Sequence, residues 1–119
     1  MKTFNEIIEN LKPEQKQLLA NVINYGSWGN CDTMFGEECV MVWGYITDFA
    51  YKGGHFERRT INNRLRALYK ALGMEGDRNF KQNECMQWMY DWWENGSGSI
   101  LLIREDMTDE VEAWAKDFK

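Results

Sequence analysis

The segment MQWMYDWWENGSGSILLIR, residues 86–104, decides the fold, because its sequence fits two different structures. Glu84, Gln87, Asp91 and Glu94 recur at steps of three, four and three, which is the spacing of one face of an amphipathic helix. The alternative is a β-hairpin in which YDWW and ILLIR flank the turn ENGSGS. Because these polar residues keep a period of about 3.6 residues and not of two, we expect a helix that ends near the Asn-Gly pair.

The last part of this segment, ILLIR at 100–104, is typical of a strand, and a strand needs a neighbour for its backbone N–H and C=O groups. The best neighbour within the chain is CVMVW at 39–43. The run 39–47 is rich in β-branched and aromatic residues, although a helix over 37–51 is the alternative. Pairing of 100–104 across a homodimer is a second way to satisfy this strand.

The clearest helix lies at 57–72, where Ile61, Leu65, Leu68 and Leu72 recur at helical spacing before Gly73. Further helices are predicted from end signals: a capping box at Thr3–Glu6, Pro13 in a first turn with Gly26 as the stop, and Thr108 as an N-cap before DEVEAWAKDF.

The chain has 119 residues, which is enough for one domain, 1–119, and not for two. Its hydrophobic content of 44% is too high for a disordered chain. We expect a single compact α+β domain, mainly helical, with a small sheet that includes residues 100–104. The turn-rich stretch GSWGNCDTMFG at 26–36 is expected to be a loop.

Cellular location is predicted from the absence of sorting and membrane signals. The N-terminus lacks the apolar core of a signal peptide, and no apolar run approaches the roughly 20 residues that cross a bilayer. Cys31, Cys39 and Cys85 form no CxxC pair, and their odd number suits reduced thiols better than a secreted disulfide framework. We therefore expect a cytoplasmic protein with no membrane partner.

Positive charge is concentrated in one part of an acidic chain. The net charge is −5, yet residues 52–70 contain six basic side chains and one acid. In the stretch 46–73, Gly53-Gly54 precedes the basic helix, as the turn does in a helix-turn-helix, where arginine and asparagine read bases and other cations bind phosphates. The candidate nucleic-acid or partner-binding residues are Arg58, Arg59, Asn62, Asn63, Arg66 and Lys70. The alternative is an ordinary helical hairpin with a solvated basic face.

A second candidate surface is the aromatic cluster Trp88, Trp92 and Trp93, since tryptophan is a favoured anchor in protein interfaces. The alternative is burial in the core, because a small domain also fills its interior with such residues. One amphipathic helix cannot bury every ring of the cluster, so we expect at least one to be partly exposed.

Signals for chemistry are weak. Cys31, Cys39, Cys85 and His55 lack the close ligand pairs that structural zinc sites use, so no metal is expected. A Cys–His pair from Cys31 or Cys39 with His55 could activate a thiolate, but no nucleophile elbow, P-loop or HExxH motif accompanies it. We therefore expect no catalytic residues, no cofactor and no enzyme activity.

Three strings of the sequence, YGSWGNCDTMFGEE, GYIT with GGHFERR, and DWWENGSGS, resemble small uncharacterised proteins of gut Bacteroidota and their phages or mobile elements. The resemblance carries no known activity and no residue role. It implies a bacterial cytoplasm and accessory work, which small proteins of such elements often perform by binding a host protein or DNA.

These observations predict a non-enzymatic binding or regulatory protein that acts through a protein partner. The tryptophan cluster would provide apolar anchors and the basic helix at 58–70 would provide charge complementarity. The alternative is a helix-turn-helix-like nucleic-acid-binding protein that uses the same basic helix.

Overall fold

The computed structural model describes residues 3–31, 39–45, 58–76, 80–90 and 98–118 of the chain. Within these ranges the chain forms four α-helices and six β-strands. The helices are α1 (Phe4–Ile8), α2 (Pro13–Tyr25), α3 (Arg58–Ala71) and α4 (Thr108–Lys116). The strands are β1 (Ser27–Cys31), β2 (Cys39–Tyr45), β3 (Glu75–Gly76), β4 (Phe80–Gln82), β5 (Met86–Tyr90) and β6 (Gly98–Arg104). The fold class is α+β, as the sequence predicts.

The strands form one antiparallel sheet in the order β1-β2-β6-β5-β4-β3. Residues 39–43 lie opposite 100–104, from Cys39 opposite Arg104 to Trp43 opposite Ile100, so the predicted pairing of these two segments is confirmed. The other edge of β6 pairs with β5, where Trp88 lies opposite Leu101. Because β6 finds both neighbours within the chain, it needs no pairing across two copies.

The helix expected over 84–95 is wrong for its first half. Residues Met86–Tyr90 form β5, which pairs antiparallel with β6. The hairpin alternative is confirmed only in that an antiparallel strand precedes ILLIR: its strand YDWW lies, apart from Tyr90, outside the described residues, and Gly98 and Ser99 of its turn belong to β6. The helical spacing of Glu84 and Gln87 gave a wrong prediction because the two residues do not belong to one element. Glu84 lies in a bend before the strand, and Gln87 lies in β5. Pairing with β6 overrides the local pattern, as tertiary context commonly does for short apolar segments.

The loop expected at 26–36 is also wrong in part, because Ser27–Cys31 form β1 and pair with β2. Glycine, serine and asparagine disfavour strands, so composition gave no sign of β1; pairing with β2 provides its hydrogen bonds at the edge of the sheet. The short strands β3 and β4 follow α3 and were not predicted either, because two or three residues are too few for a period to show.

The predicted helix ends are mostly confirmed. Thr3 Oγ1 accepts a hydrogen bond from the Glu6 N–H at 3.2 Å, and Glu6 Oε1 accepts one from the Thr3 N–H at 3.1 Å, which completes the capping box. Pro13 opens α2, and Gly73, with φ of 73°, follows α3 in the left-handed region that favours glycine. Thr108 is not an N-cap: it is the first residue of α4, and its Oγ1 donates to the Arg104 carbonyl at 3.2 Å, because the chain already turns in a 3₁₀ segment at Glu105–Met107.

The core lies between the helices and one face of the sheet. Trp88 is completely buried, and its ring centroid lies 4.4 Å from that of Tyr69 on α3. α2 packs on β2 and contacts both α3 and α4. Buried side chains from every helix meet the buried residues of β2, β5 and β6 in one apolar cluster, including Phe4, Leu19, Ile23, Val42, Leu65, Leu68, Met86, Leu101, Ile103 and Val111.

Asn83 ties the end of α3 to the start of β5. Its Nδ2 donates to the Leu72 carbonyl at 3.0 Å, and its Oδ1 accepts from the N–H groups of Cys85 at 2.8 Å and Met86 at 2.9 Å. One half-buried amide therefore satisfies three backbone groups from two elements that are separate in sequence.

We expect Asn83→Ala to lower the free energy of unfolding by about 1–3 kcal/mol, because three backbone groups lose a partner in a partly buried place. Urea denaturation followed by circular dichroism measures the change. Asn10→Ala is the matched control, since Asn10 is exposed and makes no hydrogen bond in the described part, and it should change stability by no more than about 0.5 kcal/mol. Equal losses for the two variants would contradict this role of Asn83.

Candidate partner-binding site

Helix α3 separates its side chains into a buried face and a basic face. Leu65, Leu68 and Tyr69 are buried against the core, as is Leu72 directly after the helix. No acidic residue occurs between Arg58 and Ala71, so every charge on the rest of the helix is positive. The amphipathic pattern that predicts the helix also determines which charges face solvent.

Three of the predicted site residues share one exposed stripe. Asn63, Arg66 and Lys70 are spaced by three and four residues, so they follow one another along the same face of α3, and all three are exposed. Within the described residues, neither Arg66 nor Lys70 forms an ion pair. The backbone of Arg58, Arg59 and Asn62 lies in the first turns of α3, whereas the placement of their side chains lies outside what the structure describes.

An open groove of about 440 Å³ runs beside this stripe, between α3 and the first turns of α2. Leu18 and Ala67 contribute apolar surface, and Lys12 and Arg64 contribute positive charge, beside the single acid Glu14. This groove could not be predicted from the sequence, because it depends on how α2 packs on α3. The only signal was the continuation of the basic pattern through Arg64. The complete lining is Lys12, Glu14, Gln15, Leu18, Arg64 and Ala67.

The aromatic surface expected from the tryptophan cluster is wrong for Trp88. Its side chain is completely buried in the core, on the face of β5 that packs against the helices. A strand presents alternate residues to opposite faces, and Trp88 shares the core face with Met86. Trp92 and Trp93, the other members of the predicted surface, lie outside the described residues.

A larger open cleft of about 640 Å³ lies on another side of α3, beyond its C-terminal end. Three carboxylates line it, from Glu6, Glu75 and Glu84. Glu6 already accepts a hydrogen bond in the α1 capping box, and Asn83, which also lines the cleft, bonds three backbone groups. These hydrogen bonds of Glu6 and Asn83 stabilise the fold. None of the predicted site residues lines the cleft.

The described residues include the three cysteines that the sequence offers as metal ligands, but not the histidine. Among the described residues, no group of three or more His, Cys, Asp and Glu side chains could hold a metal ion. His55 lies outside those residues, so the structure does not test a pair of His55 with Cys31 or Cys39, for which the sequence has no accompanying motif. Cys85 forms no disulfide and is buried in the core, where burial raises the pKa of its thiol above the ordinary value and the Arg104 guanidinium opposes part of that rise.

Comparison of the chain with models of known protein families, with curated proteins and with solved structures finds no match to any of them. Among the described helices, none combines the length and the apolar character that crossing a bilayer requires. Among the described residues, the surface of α3 and its groove are therefore the features that bear on function.

The buried Cys85 thiol makes stability depend on alkaline pH. Its pKa is raised in the folded protein, so above the ordinary thiol value of about 8.5 the unfolded chain releases this proton before the folded one does. The unfolded state then binds fewer protons, and the stabilisation by Cys85 is lost progressively as the pH rises from that value through the raised pKa of the folded protein. We expect the free energy of unfolding of the wild type to fall more steeply than that of Cys85→Ala above about pH 8.5.

Urea denaturation over a series of pH values measures both slopes. Labelling with iodoacetamide, read by peptide mass spectrometry, provides an independent check, because the buried thiol should be alkylated in urea and protected in the native protein. Parallel slopes together with equal labelling in both states would contradict this description of Cys85.

Proposed function

We propose that the protein is a non-enzymatic binding or regulatory protein of the bacterial cytoplasm, which recognises an acidic surface on a protein partner through the exposed basic face of α3. The observation that carries the proposal is that Arg66 and Lys70 are exposed and, among the described residues, have no ion pair. On a chain of net charge −5, such charges are a localised positive surface on an acidic molecule.

Uncompensated charge of this kind favours recognition and association rate more than affinity. A complementary acidic partner is attracted in the correct orientation, and partners with a basic surface are rejected. Exposed ion pairs each contribute only about 0–1 kcal/mol, so an additional apolar contact is needed for stable binding.

The groove beside α3 is suited to provide that contact. Leu18 and Ala67 can pack against one apolar side chain of the partner, while Lys12 and Arg64 attract the acidic residues around it. Glu14 repels an acid placed directly beside it, which limits where the partner's carboxylates can lie. The partner segment that fits is therefore acidic, with an apolar residue at its centre.

Nucleic-acid binding is the second candidate, and one observation favours it. Asn63 and Arg66, which are residue types that read base edges, are exposed next to each other on a helix without acids. The preceding helix of a helix-turn-helix would fall within 46–57, outside the described residues. A protein partner remains the better proposal, because phosphate recognition requires many cations and the chain as a whole is acidic.

We expect the double variant Arg66→Glu with Lys70→Glu to weaken partner binding by roughly tenfold or more, because two attractive charges become repulsive. The chain, immobilised, captures proteins from an extract of the source cells, and mass spectrometry identifies those lost with the variant. The purified partner is then titrated by calorimetry. Lys116→Glu is the control for charge reversal, since Lys116 is also an exposed lysine in the last turn of a helix, α4.

Two outcomes would overturn the protein-partner proposal. One is equal capture by the double variant and by the wild type. The other is tight binding of a DNA duplex that weakens steeply as salt rises and is lost in the double variant, which would establish the nucleic-acid candidate instead.

Ala67→Glu tests the groove separately. It places a negative charge and a larger side chain beside Leu18 and Arg64, so we expect it to weaken binding of the same partner by roughly tenfold, with little change in stability at this exposed position. Ala113→Glu on α4 is the matched control, because Ala113 is also an exposed alanine in a helix. Unchanged partner affinity in Ala67→Glu would exclude the groove and leave the basic stripe as the contact.

A further inference from the structure

The first two strands of the sheet place two cysteines directly opposite each other. Cys31 is the last residue of β1, Cys39 is the first of β2, and the register pairs them. Opposite residues of an antiparallel ladder have Cα atoms about 4.5–5.5 Å apart, which is within the span of roughly 4.4–6.8 Å that a disulfide bridges. The sequence spacing hides this pair, because seven residues separate the two cysteines.

The same cross-strand row contains a cation. Arg104 of β6 lies opposite Cys39 on the side away from Cys31. The thiolate is the form of a cysteine that attacks a disulfide. Arg104 also acts on Cys85, where its charge opposes part of the rise in the thiol pKa. Arg104 Nε also lies 3.3 Å from Asp106 Oδ1, so part of its charge is balanced.

The third cysteine, Cys85, is poorly suited to form a disulfide with Cys31 or Cys39. Cys85 is completely buried in the core cluster, and burial raises the pKa of its thiol. Cys31 lies opposite Cys39 and is paired with no other cysteine of the sheet.

We propose that Cys31 and Cys39 form a site of reversible oxidation whose reactant is a small-molecule disulfide of the glutathione type. The Cys39 thiolate attacks one sulfur of glutathione disulfide, forms a mixed disulfide and releases one glutathione thiolate. The Cys31 thiolate then attacks the Cys39 sulfur of that mixed disulfide, forms the Cys31–Cys39 bond and releases the second glutathione thiolate. Two protein thiols are oxidised, one glutathione disulfide is reduced to two thiols, and the two protons pass to the solvent or to the released thiolates.

This oxidation would fasten β1, an edge strand of the sheet, to its neighbour β2. A reducing cytoplasm keeps the pair as thiols, and an oxidised glutathione pool closes it. The site uses none of the residues of α3 or its groove, so this proposal does not depend on the proposed partner binding.

The test exposes the purified full chain to glutathione disulfide and follows its intact mass, then maps disulfides by peptide mass spectrometry without reduction. We expect one Cys31–Cys39 cross-link that dithiothreitol reverses, formed roughly tenfold faster in the native protein than in urea, where a flexible loop sets the effective concentration. Cys31→Ser should accumulate glutathione on Cys39, and Cys85→Ser should cross-link like the wild type.

The native wild type alone can overturn the proposal, whatever the stability of the variants. Stable glutathione on both Cys31 and Cys39 without a cross-link would do so, as would a cross-link to Cys85 or no reaction with glutathione disulfide. Circular dichroism of each serine variant verifies that any change in its reaction does not arise from unfolding.

Discussion

The pairing and burial of β6 is the constraint on which the rest of the structure depends. Its backbone pairs with β2 on one edge and β5 on the other. Leu101 and Ile103 are buried in the core cluster under the helices, while Leu102, on the opposite face, is only 1% exposed. A strand enclosed on both edges and both faces requires apolar residues at consecutive positions, which is why ILLI shows no alternation.

The sequence predicted the elements whose signals are local and continuous. The Leu spacing of α3, the Thr3–Glu6 capping box and the composition of 39–43 and 100–104 each determine one element, and the need of β6 for a partner was enough to identify β2. The helix expected over 84–95 failed because four polar residues gave a period while the decisive contact, Trp88 opposite Leu101, lies across the sheet. Strand β1 was missed because an edge strand takes its hydrogen bonds from its neighbour and needs little propensity of its own.

Only the part of the candidate site that lies on α3 could be predicted from the sequence, because it follows from the helical spacing of the leucines. That period identified the exposed positions of Asn63, Arg66 and Lys70, because Leu65 and Leu68 determine which face is buried. The groove between α2 and α3 and the pairing of Cys31 with Cys39 depend on packing and register, which no single segment encodes. The same limit explains why the burial of Trp88 was not predicted. Its neighbours in the sequence suggested an aromatic surface, whereas its neighbour in space is Tyr69 of the core.

The contact of Tyr69 with Trp88 limits how the proposed binding surface of α3 can move. Tyr69 and Lys70 are consecutive, so one peptide link joins a ring packed 4.4 Å from the indole of the core to a charge in solvent. Turning the helix about its own axis would pull the phenol away from the indole, so the backbone beneath the stripe is held at one rotational setting. Such preorganisation reduces the entropy lost on complex formation, leaving mainly the long cationic side chains to be ordered.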